Sequence, residues 1–397
     1  MLHAFDPFTG TSVAELSFRR KCLNELAVYL LWLEHLEIAP DAQTERLMAA
    51  FVDHASDDYI DLACRSPKRV LMFSAALAYA LRAELLDPIR RDRVSALVGG
   101  AFAWNSEWPA FRQLDLLVAT TFAGLPPRLS GRDVIAVSSV AVPPCPIYSD
   151  RDAFYALCHS IVYGFMLGTA TTSSGNLVEA IDGGLCRAVA SQDLDLGLEL
   201  ALAAMALGME QTPAMTLVLA EMFVRLGSPV ISLEPTTIAM SAIEEFVSVR
   251  PQERDFAESV HTAIVAALVL ALMEARGASV DASYGEREFQ FARGVGAAFQ
   301  SLHKYSLLAG VTRALELMPS SPLESAHVRR IARFVALNEQ SDGRFGLFVE
   351  ERALFASSNP DSDFDVSIGP HIDAVCRQFL VRHVAGTSGS ALAGRPV

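Results

Sequence analysis

The sequence predicts an all-α protein in which paired antiparallel helices pack as an α/α toroid or a superhelix, with at most one short strand-like linker. Three observations support this fold class. Apolar residues recur at helical spacing through most of the chain, short breaks containing Gly, Pro or Asp separate the segments, and no consensus of a known helical repeat is present. Helices joined by short turns pack as antiparallel neighbours, which predicts a ring or superhelix of hairpins.

The composition predicts a large buried core. Of the 397 residues, 51% are hydrophobic and only 20% are charged. The formal net charge is −14, and both nucleic acids and anionic membrane surfaces require a basic surface on the protein. We therefore expect a compact globular protein that binds neither nucleic acid nor membrane.

Residues 1–123 are predicted to form N-terminal helical hairpins. Apolar residues with charges between them define the opening segment, and Pro40 ends it. Asp or Ser followed by Pro then begins several later segments, because proline fits the first turn of a helix. The predicted helices are Ala14 to Ile38, Asp41 to Val52, Pro67 to Leu86, Pro88 to Gly99 and Pro109 to Phe122.

Residues 124–149 are predicted to be a Pro/Gly-rich linker, within which Asp133 to Val142 is the best strand candidate in the chain. The main helical domain is expected to span 150–385, with a kink near His303 in its longest segment, and residues 386–397 to be a disordered tail. All parts are expected to form one compact unit. After the Asp152 segment the predicted helices are Asn176 to Ala190, Leu194 to Met209, Pro213 to Leu226, Pro235 to Val249, Arg254 to Arg276, Glu286 to Leu317, Ser325 to Gln340 and Pro370 to Ala385.

The stretch from Asp152 to Gly168 places polar side chains along one face of an otherwise apolar helix. At 100° per residue, Asp152, Tyr155, His159 and Tyr163 share a stripe. Buried imidazole and phenol groups each cost a kcal/mol or more when they lack hydrogen-bond partners. The stripe therefore predicts either a wet cavity or a self-satisfied polar network in the core, and the sequence leaves both open.

Three histidines lie in successive apolar segments, and we expect His159, His261 and His303 to face a common cavity. The alternative is that each is buried or exposed independently, as Lys304 suggests for His303. None of the three has a second ligand three or four residues away, and no nucleotide-binding or HExxH motif is present. We therefore predict no metal and no cofactor, although a metal held by these histidines is conceivable.

The sequence predicts no membrane-spanning segment and no export signal. The most apolar run, Ile264 to Met273, is too short to span a bilayer, and the N-terminus lacks a basic region followed by an apolar core. The six cysteines form no CxxC pair, which predicts reduced thiols. We expect a cytoplasmic protein without disulfides, and a homodimer is compatible with the sequence.

The sequence DDYID, Asp57 to Asp61, has the spacing of the aspartate-rich motif by which class I terpene synthases hold magnesium and diphosphate. A solvated helix start is the interpretation that we favour, because such a pattern arises easily in an acidic helical protein.

The sequence QSDGRFG, Gln340 to Gly346, resembles the segment that links helices in the α/α toroids of class II terpene cyclases and protein prenyltransferases, with Phe345 where Trp is usual. Asp361, Asp363 and Asp365 resemble the acidic motif of class II cyclases at a different spacing. This similarity bears on architecture more than on chemistry.

The spacing of Tyr155, His159, Tyr163 and Gly168 resembles the signature of an uncharacterised helical family from bacterial specialised-metabolite gene clusters. Where relatives often carry an acidic residue before the glycine, this chain has Met166 and Leu167. The resemblance implies a role in tailoring a small molecule.

Together these patterns predict an enzyme that performs acid/base chemistry, such as a cyclisation, isomerisation or elimination, on an apolar or partly apolar small molecule in a central cavity. His159 is the predicted acid or base, Tyr155 and Tyr163 orient it or bind substrate, and Asp152 fixes its tautomer. The alternative is a non-catalytic helical scaffold or ligand-binding protein. The further predicted substrate-binding residues are His261, His303 and Met166.

Overall fold

The computed structural model describes residues 5–10, 12–104, 107–169, 174–227, 254–346 and 370–384. Within these ranges the chain forms seventeen α-helices and one 3-10 helix, and the only β pairing is an isolated bridge between Glu339 and Phe345. The prediction of an all-α fold is confirmed.

The described helices follow one another through the whole chain, with short connections between most of them. The first half contains α1 (Val13–His35), α2 (Ala42–His54), α3 (Asp57–Arg65), the 3-10 helix (Pro67–Met72), α4 (Ser74–Arg82), α5 (Pro88–Val98), α6 (Ala101–Trp104), α7 (Ala110–Phe122) and α8 (Gly131–Ala136). The second half contains α9 (Arg151–Met166), α10 (Gly175–Ser191), α11 (Leu194–Ala206), α12 (Pro213–Leu226), α13 (Arg254–Arg276), α14 (Glu286–His303), α15 (Leu307–Leu315), α16 (Pro322–Leu337) and α17 (Pro370–Val384).

Side-chain caps explain where several helices begin. Asp41 accepts hydrogen bonds from the backbone N–H groups of the first turn of α2, and Asp87 does the same for α5, where Pro88 is the first helical residue. Asp150 caps α9 through the N–H of Ala153. These carboxylates satisfy backbone donors that have no partner within the helix. The predicted starts at Asp and Pro positions are therefore correct to within a few residues.

Two predicted segments differ in the structure. The segment from Pro67 to Leu86 divides into the 3-10 helix and α4 at Phe73, whose φ of −125° lies outside the helical range. The predicted strand from Asp133 to Val142 is wrong, since α8 begins that stretch and turns follow it. A strand there has no neighbour in the described residues to pair its backbone, whereas a helical turn pairs it locally. Val134 and Ile135 instead pack beside Leu114 and Leu117.

The predicted kink near His303 is a complete break. His303 is the last residue of α14, and Tyr305 has a φ of 55°, which reverses the chain before α15 begins. The predicted helix from Pro235 to Val249, the acidic triplet at 361, 363 and 365 and the predicted tail at 386–397 lie outside the described residues.

Six helices pack in a closed cycle. Each of α1, α4, α7, α9, α11 and α13 packs against the next, and α13 packs against α1. The indole Nε1 of Trp32 on α1 donates a hydrogen bond to the carbonyl oxygen of Leu268 on α13 at 3.1 Å. This hydrogen bond joins the last helix of the cycle to the first. A full α/α toroid or superhelix, with an outer helix paired to each inner one, stays a prediction.

The C-terminal helices pack on the outside of this cycle. The main contact is between α10 and α14, where a Cβ added to Gly296 would lie 1.9 Å from the carbonyl oxygen of Cys186. The two backbones therefore touch, and only glycine fits. One apolar core runs from Phe5 to Phe379, so the predicted segments 1–123 and 150–385 share it.

One described helix, over residues 259–276 of α13, is long and apolar enough to cross a membrane by length and composition alone, and half of that window is buried. This helix, α13, packs against α1 and α11. All six cysteines are free thiols.

Candidate functional site

A cavity of about 560 Å³ lies between five helices of the cycle and the 3-10 helix. Apolar side chains from α1, α9, α11 and α13 form much of its wall. Its ionisable and hydroxyl-bearing side chains are Lys21, Glu25, Arg69, Arg112, Asp115, His159, Tyr163, Glu199, His261 and Ser17.

A buried carboxylate from α11 contacts two imidazoles in this cavity. Oε1 of Glu199 lies 3.5 Å from Nε2 of His159 and 3.5 Å from Nε2 of His261. Burial alone would raise the pKa of Glu199, but the two imidazoles outweigh burial and hold the pKa well below its usual range. Glu199 is therefore a fixed negative charge that both imidazoles share.

His261 has a second carboxylate on its other nitrogen. Nδ1 of His261 lies 3.0 Å from Oε1 of Glu25, which also faces Nζ of Lys21 at 3.3 Å. Burial opposes the charged form of His261, but Glu25, Glu199 and Asp195 hold its pKa well above the usual value. Burial likewise opposes the charge on Glu25, yet Lys21 and His261 lower its pKa to about 2. His261 is accordingly an imidazolium clamped between two carboxylates.

His159 is held less tightly than His261. Its only ionic contact in the described chain is Glu199, and its Nδ1 is buried with no hydrogen-bond partner among the described residues. The rings of Phe111 and Tyr163 lie 5.8 and 5.6 Å from the imidazole and fix its plane. His159 is thus the imidazole of the pair that a bound molecule can most readily engage.

Asp195 supports this arrangement from behind. It accepts a hydrogen bond from the hydroxyl of Thr262 at 2.8 Å, a short one from the hydroxyl of Tyr155, and one from Nη2 of Arg151 at 3.3 Å. Oδ1 of Asp195 also lies 3.8 Å from Nε2 of His261. Burial and the charge of Asp195 raise the pKa of Tyr155. Asp195 therefore joins α9, α11 and α13 at the base of the site.

A second polar group lies on the α7 side of the cavity. Asp115 accepts a hydrogen bond from Ser74 at 3.1 Å and lies 3.6 Å from Nη1 of Arg112. Burial raises the pKa of the Asp115 carboxyl. Burial and the nearby charge of Asp115 hold the pKa of the Tyr163 hydroxyl well above its usual value. The Tyr163 hydroxyl is therefore neutral and can donate a hydrogen bond.

The structure brings three of the predicted site residues to one cavity, namely His159, Tyr163 and His261. Their roles in catalysis or binding stay predictions. Tyr155 lies behind the cavity wall, with its hydroxyl on Asp195. Asp152 is exposed in the first turn of α9 and makes no hydrogen bond or ion pair within the described ranges. As a correction, the carboxylate beside His159 is Glu199, because Asp152 lies two turns away along α9.

Two further predicted site residues do not line the cavity. Nδ1 of His303 lies 2.8 Å from the carbonyl oxygen of Ile147, and burial lowers the pKa of this imidazole. Met166 is 5% exposed and packs in the core. Neither residue lines the cavity, which corrects the expectation that they share a site with His159.

The aspartate-rich stretch at the start of α3 is a surface ion-pair cluster. Asp57 lies 3.1 Å from Nη1 of Arg90, and Asp61 lies 2.6 Å from Nη1 of Arg93. These arginines on α5 neutralise the carboxylates, as a solvated helix start implies.

Sequence reasoning missed the carboxylates that matter most in the cavity. Glu199 and Asp195 lie one turn apart in Leu194–Ala206, a helix that is otherwise almost entirely apolar and buried. A buried acid in such a helix needs a partner, so the spacing of these two acids was a usable signal. Glu25 carried a weaker signal, since α1 contains several charged residues.

The comparisons with known proteins add one relationship. Neither a curated protein nor a solved structure matches the chain. A family described as a domain of unknown function, DUF6895, matches residues 1–271. The matched range contains every residue that lines the cavity, as well as the helices of the cycle up to the last turns of α13. The chain belongs to the DUF6895 family.

Proposed function

We propose that this protein is an enzyme that performs acid/base chemistry on an apolar or partly apolar small molecule in the cavity. The observation that carries the proposal is the carboxylate of Glu199 between two imidazoles, one of which, His159, forms no ion pair with a second carboxylate among the described residues. Titratable groups whose surroundings push their pKa values apart are typical of acid/base sites.

The electrostatics assign a different role to each imidazole. Glu25 and Glu199 stabilise the positively charged form of His261. It balances Glu199 and leaves that carboxylate oriented towards His159. His159 then exchanges a proton with the bound molecule, and Glu199 stabilises the imidazolium that forms.

The shape of the cavity supports a small-molecule substrate. Its volume of about 560 Å³ lies within the range of pockets that bury drug-sized ligands. Apolar walls such as Val162, Leu202 and Val265 hold the body of the molecule. The neutral hydroxyl of Tyr163 and the guanidinium of Arg112 bind a polar substituent, such as a carbonyl.

The reaction that we propose is a cyclisation, isomerisation or elimination. Each can proceed by moving protons between carbon and oxygen atoms of one substrate, which is the chemistry that an imidazole supplies. Similarity to helical proteins of specialised-metabolite gene clusters supports a tailoring step, and a cytoplasmic location fits such a role.

Replacement of His159 tests the proposal. We expect wild-type protein, incubated with an extract of apolar metabolites, to convert a compound into a product of equal mass or one lighter by water, as mass spectrometry reports. His159→Ala should abolish this conversion, while its melting temperature stays within about 4 °C of wild type because the residue lines a cavity. His303→Ala, outside the cavity, is the matched control and should retain activity.

The same experiment distinguishes the proposed enzyme from the alternative, a non-catalytic ligand-binding protein or scaffold. Retention of a compound by wild-type protein without any conversion, with loss of retention in His159→Ala, would identify a ligand-binding protein. A large fall in melting temperature for His159→Ala with conversion retained would show that the imidazole stabilises the folded core and does not take part in the reaction.

A further inference from the structure

A second cluster of chemically reactive side chains lies between α10 and the C-terminal helices. Asp182 and Cys186 are one turn apart on α10, and His327 projects from α16. One ligand atom from each lies within 4.8 Å of the others, and all three residues are buried. Nε2 of His327 lies 2.7 Å from Oδ2 of Asp182.

Hydrogen bonding within the protein does not satisfy this cluster. Oδ1 of Asp182 and Nδ1 of His327 are both buried without a hydrogen-bond partner in the described residues. An unpaired buried acceptor costs about 1–3 kcal/mol, and more when it carries a charge. A cation at this point would coordinate the unpartnered carboxylate oxygen.

The ligand types select a particular cation. A thiolate, an imidazole and a carboxylate are the three ligand types that zinc accepts in proteins, whereas magnesium and calcium prefer oxygen ligands alone. Asp182, Cys186 and His327 would fill three of the four tetrahedral positions of zinc, and a water molecule can fill the fourth.

We propose that Asp182, Cys186 and His327 form a structural zinc site that is separate from the cavity. The sequence does not reveal it, because His327 lies far along the chain from the other two ligands. Complete burial matches a structural site, in which the metal enters as the chain folds.

The position of this site gives it a defined consequence. Asp182 and Cys186 lie within residues 1–271, the range matched by the family, whereas His327 lies beyond it. The metal would therefore tie α16 to α10. A nearby contact between the same two helices is the ion pair of Arg330 with Glu179 at 2.9 Å. Phe299 of α14 also packs against the imidazole of His327.

Cobalt spectroscopy on the full chain tests the site. We expect one equivalent of Co²⁺ to bind metal-free protein and to produce a thiolate-to-cobalt absorption band. Cys186→Ser should remove the band and weaken Zn²⁺ binding by about 100-fold or more, since even loss of an outer-shell partner weakens binding 10–100-fold. Cys376→Ser, another buried cysteine on α17, is the matched control and should keep the band.

A measurement without any variant covers the case in which Cys186→Ser does not fold. X-ray absorption at the zinc edge of the loaded wild-type protein should show one sulfur ligand at about 2.3 Å beside nitrogen and oxygen ligands. A shell of nitrogen and oxygen alone would place the metal elsewhere, for example at His159 and His261, and would overturn the proposal. Failure of wild-type protein to bind Zn²⁺ or Co²⁺ would also overturn it.

Discussion

Among individual residues, Glu199 has the largest influence on the cavity. It is 5% exposed, and the ionisable groups that it contacts are two imidazoles from different helices. A buried carboxylate is stable only when paired, so Glu199 and His261 depend on each other. This dependence lowers the pKa of Glu199 and raises the pKa of His261. Of the two imidazoles, His159 is the one that a bound molecule can most readily engage.

The pKa of Glu25 predicts how stability depends on pH. Its folded-state pKa of about 2 lies below the usual 4.5, so its contribution is complete above pH 4.5 and is lost as the pH falls towards 2. That contribution is roughly 3 kcal/mol. The pKa of His261 is raised above 6.5, so its contribution is complete below pH 6.5 and is lost as the pH rises through the folded value. Denaturant unfolding across pH should therefore show greatest stability from about pH 4.5 to 6.5.

Substitution of one carboxylate on α1 gives the control for this prediction. In Glu25→Gln the fall in the free energy of unfolding between pH 4.5 and pH 2 should become shallower. Glu34→Gln removes a surface carboxylate, paired with Arg82, from the same helix and should leave the acid profile of wild type. Equal acid profiles for all three proteins would show that Glu25 is not held ionised by its neighbours.

At the level of the helices, the close contact of α10 with α14 depends on a single glycine, Gly296. Gly296 lies within the continuous helix α14 and allows its backbone to touch that of α10. Helical periodicity does not show which helix a glycine will face, so this contact could not be predicted.

Gly296→Ala should lower the free energy of unfolding by about 3 kcal/mol or more, because the added Cβ would overlap the carbonyl oxygen of Cys186. Intrinsic helix propensity acts in the opposite direction, by about 1 kcal/mol. Gly175→Ala in α10, where an added Cβ meets no atom within 4 Å, is the matched control and should change stability by less than about 1 kcal/mol. Denaturant titration of both variants measures the difference, and equal stabilities would contradict the close contact.

The helices also show which parts of the fold and of the site could be predicted from the sequence. Helix starts were predictable because Asp and Pro act locally, as at Asp41 and Pro88. His159 and Tyr163 were identifiable because polar groups on an apolar helix are conspicuous. Their partners were not, since Glu25 and Glu199 reach the imidazoles only through the order in which distant helices pack, and no local pattern encodes that order.

At the level of the whole molecule, the core is continuous from the N-terminal helices to α17. The C-terminal helices therefore do not form a separate unit, although the family match ends at residue 271. They bury α10, whose opposite face packs against α11 of the cycle.

A continuous core predicts a single cooperative unfolding transition. The three tryptophans, Trp32, Trp104 and Trp108, all lie in the N-terminal part, so tryptophan fluorescence reports that part alone. Far-ultraviolet circular dichroism reports every helix. The two signals should give midpoints within about 2 °C of each other on heating. Two separated transitions would show that the C-terminal helices unfold independently.

Closure of the helix cycle has a consequence for how the protein is made. Glu25 and His261, on the first and last helices of the cycle, are separated by 236 residues. At about 5–20 residues per second, the ribosome needs roughly 10 to 50 s to deliver α13 after α1 has emerged. During that interval α1 can pack against α4, but the part of α1 that packs against α13 has no final partner and the cavity does not exist. The nascent chain must therefore shelter that part of α1 with provisional contacts or a chaperone until the last helix of the cycle arrives.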